Sequence, residues 1–509
     1  RWDPEALVWY SVKALYLSCS ERVRSSASLV LPLSTEKGKP GPPGIRRDLR
    51  RHLAYLFCMT KRLVNLLTLL LLPLIATAQE KPNVLLIISD DQSWTDYSFM
   101  GHPQIETPHL DKLAAESLTY TRGYVTSPLC RPSLASILTG LHTHKHGITG
   151  NDLKSPKRKD LNGMTSRRHP DWAPKNERLY AGFVKHPNVA RALNDAGYLT
   201  LQTGKYWEGK PQRAGFTHAM THADPARGGR HGDSGLKVSR EGIQPIKDFL
   251  DESKSSNKPF FIWHAPFLPH TPHNPPKELM EKYLKREPNK FRARYFAMVD
   301  WFDQTCGELL SELDSRNLAK NTIVLYVTDN GWIQDTESAR FAPLSKQDPH
   351  EGGIRTPIML KWPGNVTPEM DQTTLVSSID LAPTILKACS ITVPPTMTGL
   401  DLRDKAALQT RNTIHGYDGN HDIFDLENRT SNMETRYIIE GDWKLLEHHF
   451  SPSLFRAYNG VFTGKADNKE GKPELYNLIK DPHEKVNLAA QNPDQVKALQ
   501  AKILKWWNS

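Results

Sequence analysis

Three short, uninterrupted apolar runs constrain this chain more than any other feature. Residues 83–88 read Asn-Val-Leu-Leu-Ile-Ile and stop at Ser89-Asp90-Asp91. Residues 258–263 read Lys-Pro-Phe-Phe-Ile-Trp, and residues 321–327 read Asn-Thr-Ile-Val-Leu-Tyr-Val before Thr328-Asp329-Asn330-Gly331. A strand with one wet face alternates apolar and polar side chains, whereas a strand covered on both faces is apolar throughout. All three runs have strand length. Residues 198–203 add a further strand. Helical signals lie between them: residues 107–118, opened by Thr107 with Pro108 at the first position; 133–140, ended by Gly140; 188–196; and 291–315, with Tyr295, Met298, Val299, Phe302, Leu309 and Leu310 on one side. Strands alternating with helices predict an α/β fold, a large mostly parallel or mixed central sheet flanked by helices. Past residue 400 the texture changes. Residues 436–446 read as a hairpin turning at Gly441-Asp442, and residues 494–507 as a terminal helix. This predicts a main domain over 79–400 and a smaller C-terminal α+β subdomain over 401–509, a short antiparallel sheet plus the terminal helix.

The formal net charge of +10 raises the question of a nucleic-acid partner. Residues 1–78 carry 12 Lys+Arg against 5 Asp+Glu, so most of the excess sits there and the rest of the chain is close to balanced. No nucleic-acid partner is expected. From Met59 the chain runs through Lys61-Arg62, an apolar stretch to Ile75, and Ala76-Thr77-Ala78. A basic start, a short apolar run and a small-x-small end describe a signal peptide over 59–78, too short for a stable membrane anchor. The expected location is therefore secreted or periplasmic. Residues 1–58 read as a non-native upstream extension, and residues 150–180, polar and basic, as a surface loop. Of five Cys, only Cys130, Cys306 and Cys389 follow Gln79. An odd count is not a disulfide framework, and at least one thiol stays free.

Two strands end in Asp90-Asp91 and Asp329-Asn330. An isolated Asp-Asp more often caps a turn than binds anything. In an α/β sheet, however, ligands gather beyond the carboxyl ends of the strands, and three carboxylates with an amide suit a hard cation such as calcium or magnesium. The segment Cys130-Arg131-Pro132-Ser133-Leu134-Ala135-Ser136-Ile137-Leu138-Thr139-Gly140 resembles the signature of the sulfatase family, whose Cys is oxidised to formylglycine. Other blocks follow in family order: Gly204-Lys205, Pro269-His270-Thr271-Pro272, Asp329-Asn330-Gly331, Lys346 ahead of Glu351-Gly-Gly-Ile-Arg355, and Glu474-Leu-Tyr-Asn477 with Asp481-Pro482.

The resemblance implies hydrolysis of sulfate esters of carbohydrates or aryl alcohols. It implies Cys130 as the formylglycine precursor, made by a formylglycine-generating maturation enzyme. It implies Ca2+ (or Mg2+) held by Asp90, Asp91, Cys130, Asp329 and Asn330. Lys205 and Lys346 would bind the sulfate oxygens, and His270 would bind substrate and protonate the leaving alcohol. Two positions depart from the pattern. Leu134 stands where the family has Arg, for which Arg131 is a partial substitute on a different helical face. Trp207 stands where it has His, leaving His144, His146, His218 and His222 as alternatives. Two other readings stay open: a phosphodiesterase or phosphonate monoesterase of the same superfamily, which would share the metal pocket, and, suggested by the two departures, a non-catalytic binder of sulfated glycans.

Overall fold

Strand β1 (Asn83–Ser89) sends Val84, Leu86 and Ile88 into one apolar cluster and Leu85 and Ile87 into another. Its uninterrupted run therefore marks a sheet covered on both faces. The coordinates are a computed structural model, and the structure describes residues 81–154, 169–224, 227, 229–449 and 471–509. The expected extension over 1–58 and signal peptide over 59–78 lie outside the described residues, as does the middle of the expected 150–180 loop.

Around β1 lie β2 (Leu118–Tyr124), β4 (Leu199–Gly204), β5 (His218–Ala219), β6 (Phe260–Ala265), β7 (Thr322–Thr328), β8 (Arg355–Lys361), β9 (Glu369–Asp371) and β10 (Val376–Ser377). The order is β10-β2-β8-β7-β1-β6-β4-β5, with β9 also pairing β2. Only β8 runs against the rest. Registry brings the central strand ends level: Ser89 lies opposite Thr328, Ile87 opposite His264, and Gly204 opposite Ala265. Whatever follows β7, β1, β6 and β4 must therefore emerge along one edge.

Helices cover both faces. α1 (Pro108–Ala115), α4 (Gln244–Ser256) and α5 (Lys290–Ser315) pack on one side through Leu110, Phe249, Met298 and Phe302. α2 (Cys130–Thr139), α3 (Val189–Asp195) and α6 (Leu381–Ala388) pack on the other through Ile137, Leu193 and Ile385. Each such side chain removed from water contributes roughly 1.5–3 kcal/mol. The helix expected over 107–118 stops at Ala115, because Leu118 opens β2 and pairs with β8. The helix expected over 133–140 begins three residues earlier, at Cys130. Leu310, expected on the core side of α5, is only partly buried.

The C-terminal sheet is antiparallel, in the order β11 (Thr413–Gly419), β13 (Met433–Glu440), β14 (Trp443–His448), β15 (Glu474–Asn477). One face joins the main core through Ile414, Ile439 and Leu446. The terminal helix α7 (Pro493–Asn508) covers the other, setting Val496, Leu499 and Ile503 on Ile438, Leu445 and Leu475. Two very short strands, β3 (Asp152–Leu153) and β12 (Asp422–Ile423), pair in parallel and tie the region after α2 to the C-terminal sheet. Cys130, Cys306 and Cys389 are all buried and free. Among the described residues no helix is long and apolar enough to cross a membrane.

Candidate active site

The level strand ends deliver a compact polar centre. β1 runs into Asp90 and Asp91, and β7 into Asp329 and Asn330. β4 runs into Lys205, and the segment after β6 reaches His270. Gly204 makes the turn into Lys205: its φ is +74°, and a Cβ there would collide with the carbonyl of Ala265. Asp91 takes a left-handed φ of 65°, a conformation unfavourable for a residue with a Cβ and often found at functional sites. α2 begins at Cys130 and carries its thiol to the same point. The ligand atoms of Asp90, Asp91, Cys130 and His270 all lie within 4.8 Å of one another.

The contacts interlock. Lys205 Nζ donates to Asp90 Oδ1 at 2.7 Å and lies 3.4 Å from Cys130 Sγ. Lys346 Nζ donates to Asp91 Oδ2 at 2.7 Å, and Asn330 Nδ2 to Asp91 Oδ1 at 2.7 Å. Asp329 Oδ1 accepts from the backbone amides of Asp91 (3.1 Å) and Asn330 (2.7 Å). His270 Nε2 lies 3.4 Å from Asp91 Oδ2. Its Nδ1 is 2.5 Å from the Thr271 carbonyl. A carbonyl can only accept, so Nδ1 carries the proton and Nε2 faces the site.

The fit to a cation can be tested on the oxygens. Asp90 Oδ2, Asp329 Oδ2 and Asn330 Oδ1 are buried acceptors with no donor among the described residues. An unsatisfied buried acceptor is costly, yet three lie in one cluster, all hard oxygens suited to calcium or magnesium. Burial raises the Asp90 and Asp329 carboxyls above their ordinary range, against the opposing pull of Lys205. Burial works to lower Lys205 and Lys346, but the surrounding carboxylates win and hold both ammoniums firmly charged. Burial likewise pushes the Cys130 thiol up to about 12, although both lysines pull it down. His270 is held well below its ordinary range, first by burial and then by the two lysines, so it is neutral in the free protein.

A cleft of about 540 Å³ opens above this centre, with Cys130, Lys205, His270 and Lys346 at its base. All the predicted chemical residues thus meet at one edge of the sheet. Arg131 does not substitute for the missing arginine. Its guanidinium donates to Glu208 through Nε (2.7 Å) and Nη2 (2.9 Å) and to the Asn151 carbonyl, away from the cleft. Leu134 is buried in the apolar core. None of His144, His146, His218 and His222 lines the cleft; His231 and His421 do, with Trp207, Asn151 and Arg230. Apart from Trp207, sequence reasoning missed these because they sit on loops, Asn151 and His421 immediately before two-residue strands. The only signal was Gly-Gly-Arg230-His231-Gly232, a pair of long polar side chains bracketed by glycines.

Comparison with known proteins agrees with this picture. A family model described as Sulfatase matches residues 82–391, and one described as N-sulphoglucosamine sulphohydrolase, C-terminal, matches residues 344–507. An N-acetylgalactosamine-6-sulfatase of Canis lupus familiaris is 27% identical over 367 residues, 64% of this chain and 66% of that protein. An N-acetylgalactosamine-6-O-sulfatase of Bacteroides thetaiotaomicron is 24% identical over 503 residues, 82% of this chain and 92% of that protein. The fold resembles that of a sulfatase from Pseudoalteromonas sp. at a TM-score of 0.59 and 20% identity, covering 85% of this chain and 92% of that one. It also resembles the phosphonate monoester hydrolase of Agrobacterium radiobacter at a TM-score of 0.57 and 16% identity, covering 83% and 95%.

Proposed function

The chain belongs to the sulfatase family, and on that premise we propose that it hydrolyses sulfate esters of carbohydrates, with Cys130 oxidised to formylglycine and a divalent cation, calcium rather than magnesium, in the site. One observation carries the reading: three buried oxygens without donors among the described residues, on Asp90, Asp329 and Asn330, converge beside a thiol that a charged lysine touches. The names of the relatives above support a sulfated sugar as the substrate class.

The cation would be held by Asp90, Asp91, Asp329 and Asn330, with residue 130 completing the set, and would supply positive charge to the sulfate oxygens and to the attacking hydroxyl. The oxidised residue, as a hydrated aldehyde, supplies one hydroxyl to attack sulfur and a second to release sulfate. This suits a position where the unmodified thiol is held protonated and is a poor nucleophile. Lys205 and Lys346, permanently charged, neutralise the sulfate oxygens as negative charge moves during attack. His270 presents Nε2 toward the ester oxygen. The arriving sulfate offsets the repulsion that the two ammoniums add to burial at this ring, so it can take up the proton it then gives to the leaving alcohol. Trp207, with Lys205 Nζ 5.3 Å from its ring, walls the ammonium off from water rather than exchanging a proton.

We further read residues 59–78 as an export signal giving a secreted or periplasmic enzyme. Residues 79–400 form the catalytic region and 401–509 its C-terminal subdomain, and a formylglycine-generating enzyme is the maturation partner.

The test is the mass of the peptide containing Cys130 from protein made in its native host. Conversion to formylglycine lowers it by about 18 Da, because an aldehyde replaces the thiol. An unmodified thiol in active protein would overturn the mechanism. Turnover of an aryl sulfate, with an aryl phosphodiester as the comparison, separates this activity from the phosphodiesterase one.

A further inference from the structure

The cleft above the polar centre has two unlike walls. One is residues 339–344, where Phe341, Pro343 and Leu344 offer apolar surface and Arg340 stands exposed at the mouth. The other is polar, lined by Arg230 and His421 from two distant segments, with Asp152, which does not line the cleft, holding Arg230. Arg230 Nε donates to Asp152 Oδ1 at 3.1 Å, and its Nη2 pairs with Asp152 Oδ2. His421 Nδ1 lies 2.6 Å from Asp422 Oδ1. The pairing of β3 with β12 puts Asp152 opposite Asp422, and the carboxylate and imidazole ligand atoms of Asp152, His421 and Asp422 lie within 4.8 Å of one another. Arg230 is held by Asp152 and His421 by Asp422, so the wall carries donors and acceptors in fixed directions.

Resting on the reading of the site as a sulfate-ester hydrolase, we propose that Arg230 and His421 are the specificity-determining residues that bind the hydroxyls of the leaving sugar, with Asp152 as the residue that positions Arg230. A hexopyranose has the matching shape: hydroxyls along its edge and C–H bonds on its faces. With the sulfate seated on Lys205 and Lys346, the ring lies between the walls, its edge toward the Arg230–Asp152 pair and one face against Leu344 and Phe341. A guanidinium fixed by its carboxylate presents its remaining N–H donors in a set direction, which suits neighbouring hydroxyl oxygens along a sugar edge. A flat aryl group has no such edge and leaves these groups unanswered, which is where discrimination between analogues is greatest.

The experiment compares kcat/KM for hexoses and N-acetylhexosamines bearing one sulfate ester with that for para-nitrophenyl sulfate, in the wild type and in Arg230→Met, Asp152→Asn and His421→Ala. Melting temperatures confirm that each variant is folded. The ratio of the best sulfated sugar to the aryl sulfate should fall tenfold or more in Arg230→Met, mainly through KM, because charge-assisted contacts to the sugar are lost. Asp152→Asn, which keeps the shape, should move it in the same direction. Parallel loss on both substrates in all three variants, or an unchanged ratio, overturns the proposal while leaving the sulfatase reading intact. A wild type that releases sulfate from none of these compounds overturns both.

Discussion

Asp329 offers one carboxylate oxygen to two backbone amides and leaves the other without a donor among the described residues. Asp329→Asn keeps an oxygen for the amides but removes a charge. It should leave the melting temperature in the absence of metal nearly unchanged, while calcium affinity, measured by titration calorimetry, and kcat/KM fall together. The loss should be several kcal/mol, on the order of a thousandfold in rate. Retained activity would show that the cation is held elsewhere. Glu208 is a different case. It lies outside the cleft, but its carboxylate grips the buried Arg131 beside Cys130, and the loop after β4 that holds it also carries Lys205. Glu208→Gln leaves an incompletely paired buried cation, so it should cost about 3–5 kcal/mol of stability. By loosening the 3.4 Å approach of Lys205 to residue 130, it should also lower kcat more than it changes KM. Equal changes in the two constants, or none, would make the pair purely structural.

At the scale of elements, the terminal helix ends on a nest of rings. Trp506 meets His142, His144 and His415 with ring centroids 5.1, 4.7 and 4.9 Å away, and Trp507 stacks on His144 at 4.6 Å. Each of these histidines has a buried ring nitrogen with no partner among the described residues. Burial is the first cause holding all three below the ordinary range, His144 and His415 to about 4. Lys145 and His415 add repulsion at His144, and Arg411 with Lys145 at His142. With the folded value depressed, the unfolded chain takes up protons first. The stabilisation is thus complete above about pH 6.5 and drains away as pH falls toward 4, by on the order of 1 kcal/mol per unit for each well-buried ring. Melting temperature should therefore drop between pH 7 and pH 5, with tryptophan emission shifting to the red, and His144→Asn should flatten the slope. A melting temperature independent of pH over that interval refutes this role. Leu499, fully buried beneath the same helix, should cost about 2–5 kcal/mol as Leu499→Ala.

At the scale of the whole molecule, the central sheet was readable because burial on both faces writes itself as continuous apolar runs, as in residues 83–88 and 322–328. The start of α2 was not. Arg131-Pro132 looks like a break, yet Pro132 sits in the first helical turn, where its missing N–H costs nothing. β2 was missed because Thr119, Thr121 and Arg122 interrupt its pattern. Arg122 is nonetheless satisfied in place by the carbonyls of Gly441 and Thr373. Asp90, Asp91, Lys205, Asp329 and Asn330 follow strand ends and were legible as candidates, while Cys130 and Lys346 were legible only through the family resemblance; Arg230, Asp152 and His421 depend on loop closure, which leaves no periodicity behind. A cation held by Asp90, Asp91, Asp329 and Asn330 would tie the ends of β1 and β7 together in the middle of this sheet. Calcium at about 100 times its dissociation constant should thus add about 2.7 kcal/mol of stability, and chelation should lower the melting temperature. No change on chelation would place the ion outside the cooperative core.

The pairing of β3 with β12 has a consequence for how such a chain diversifies. It lets a segment some 270 positions downstream of Asp152 furnish part of the mouth, while sulfate chemistry stays with the strand ends. Substitutions around His421 can thus retune which sugar enters without disturbing the machinery that breaks the ester, so preference and catalytic power can be inherited separately.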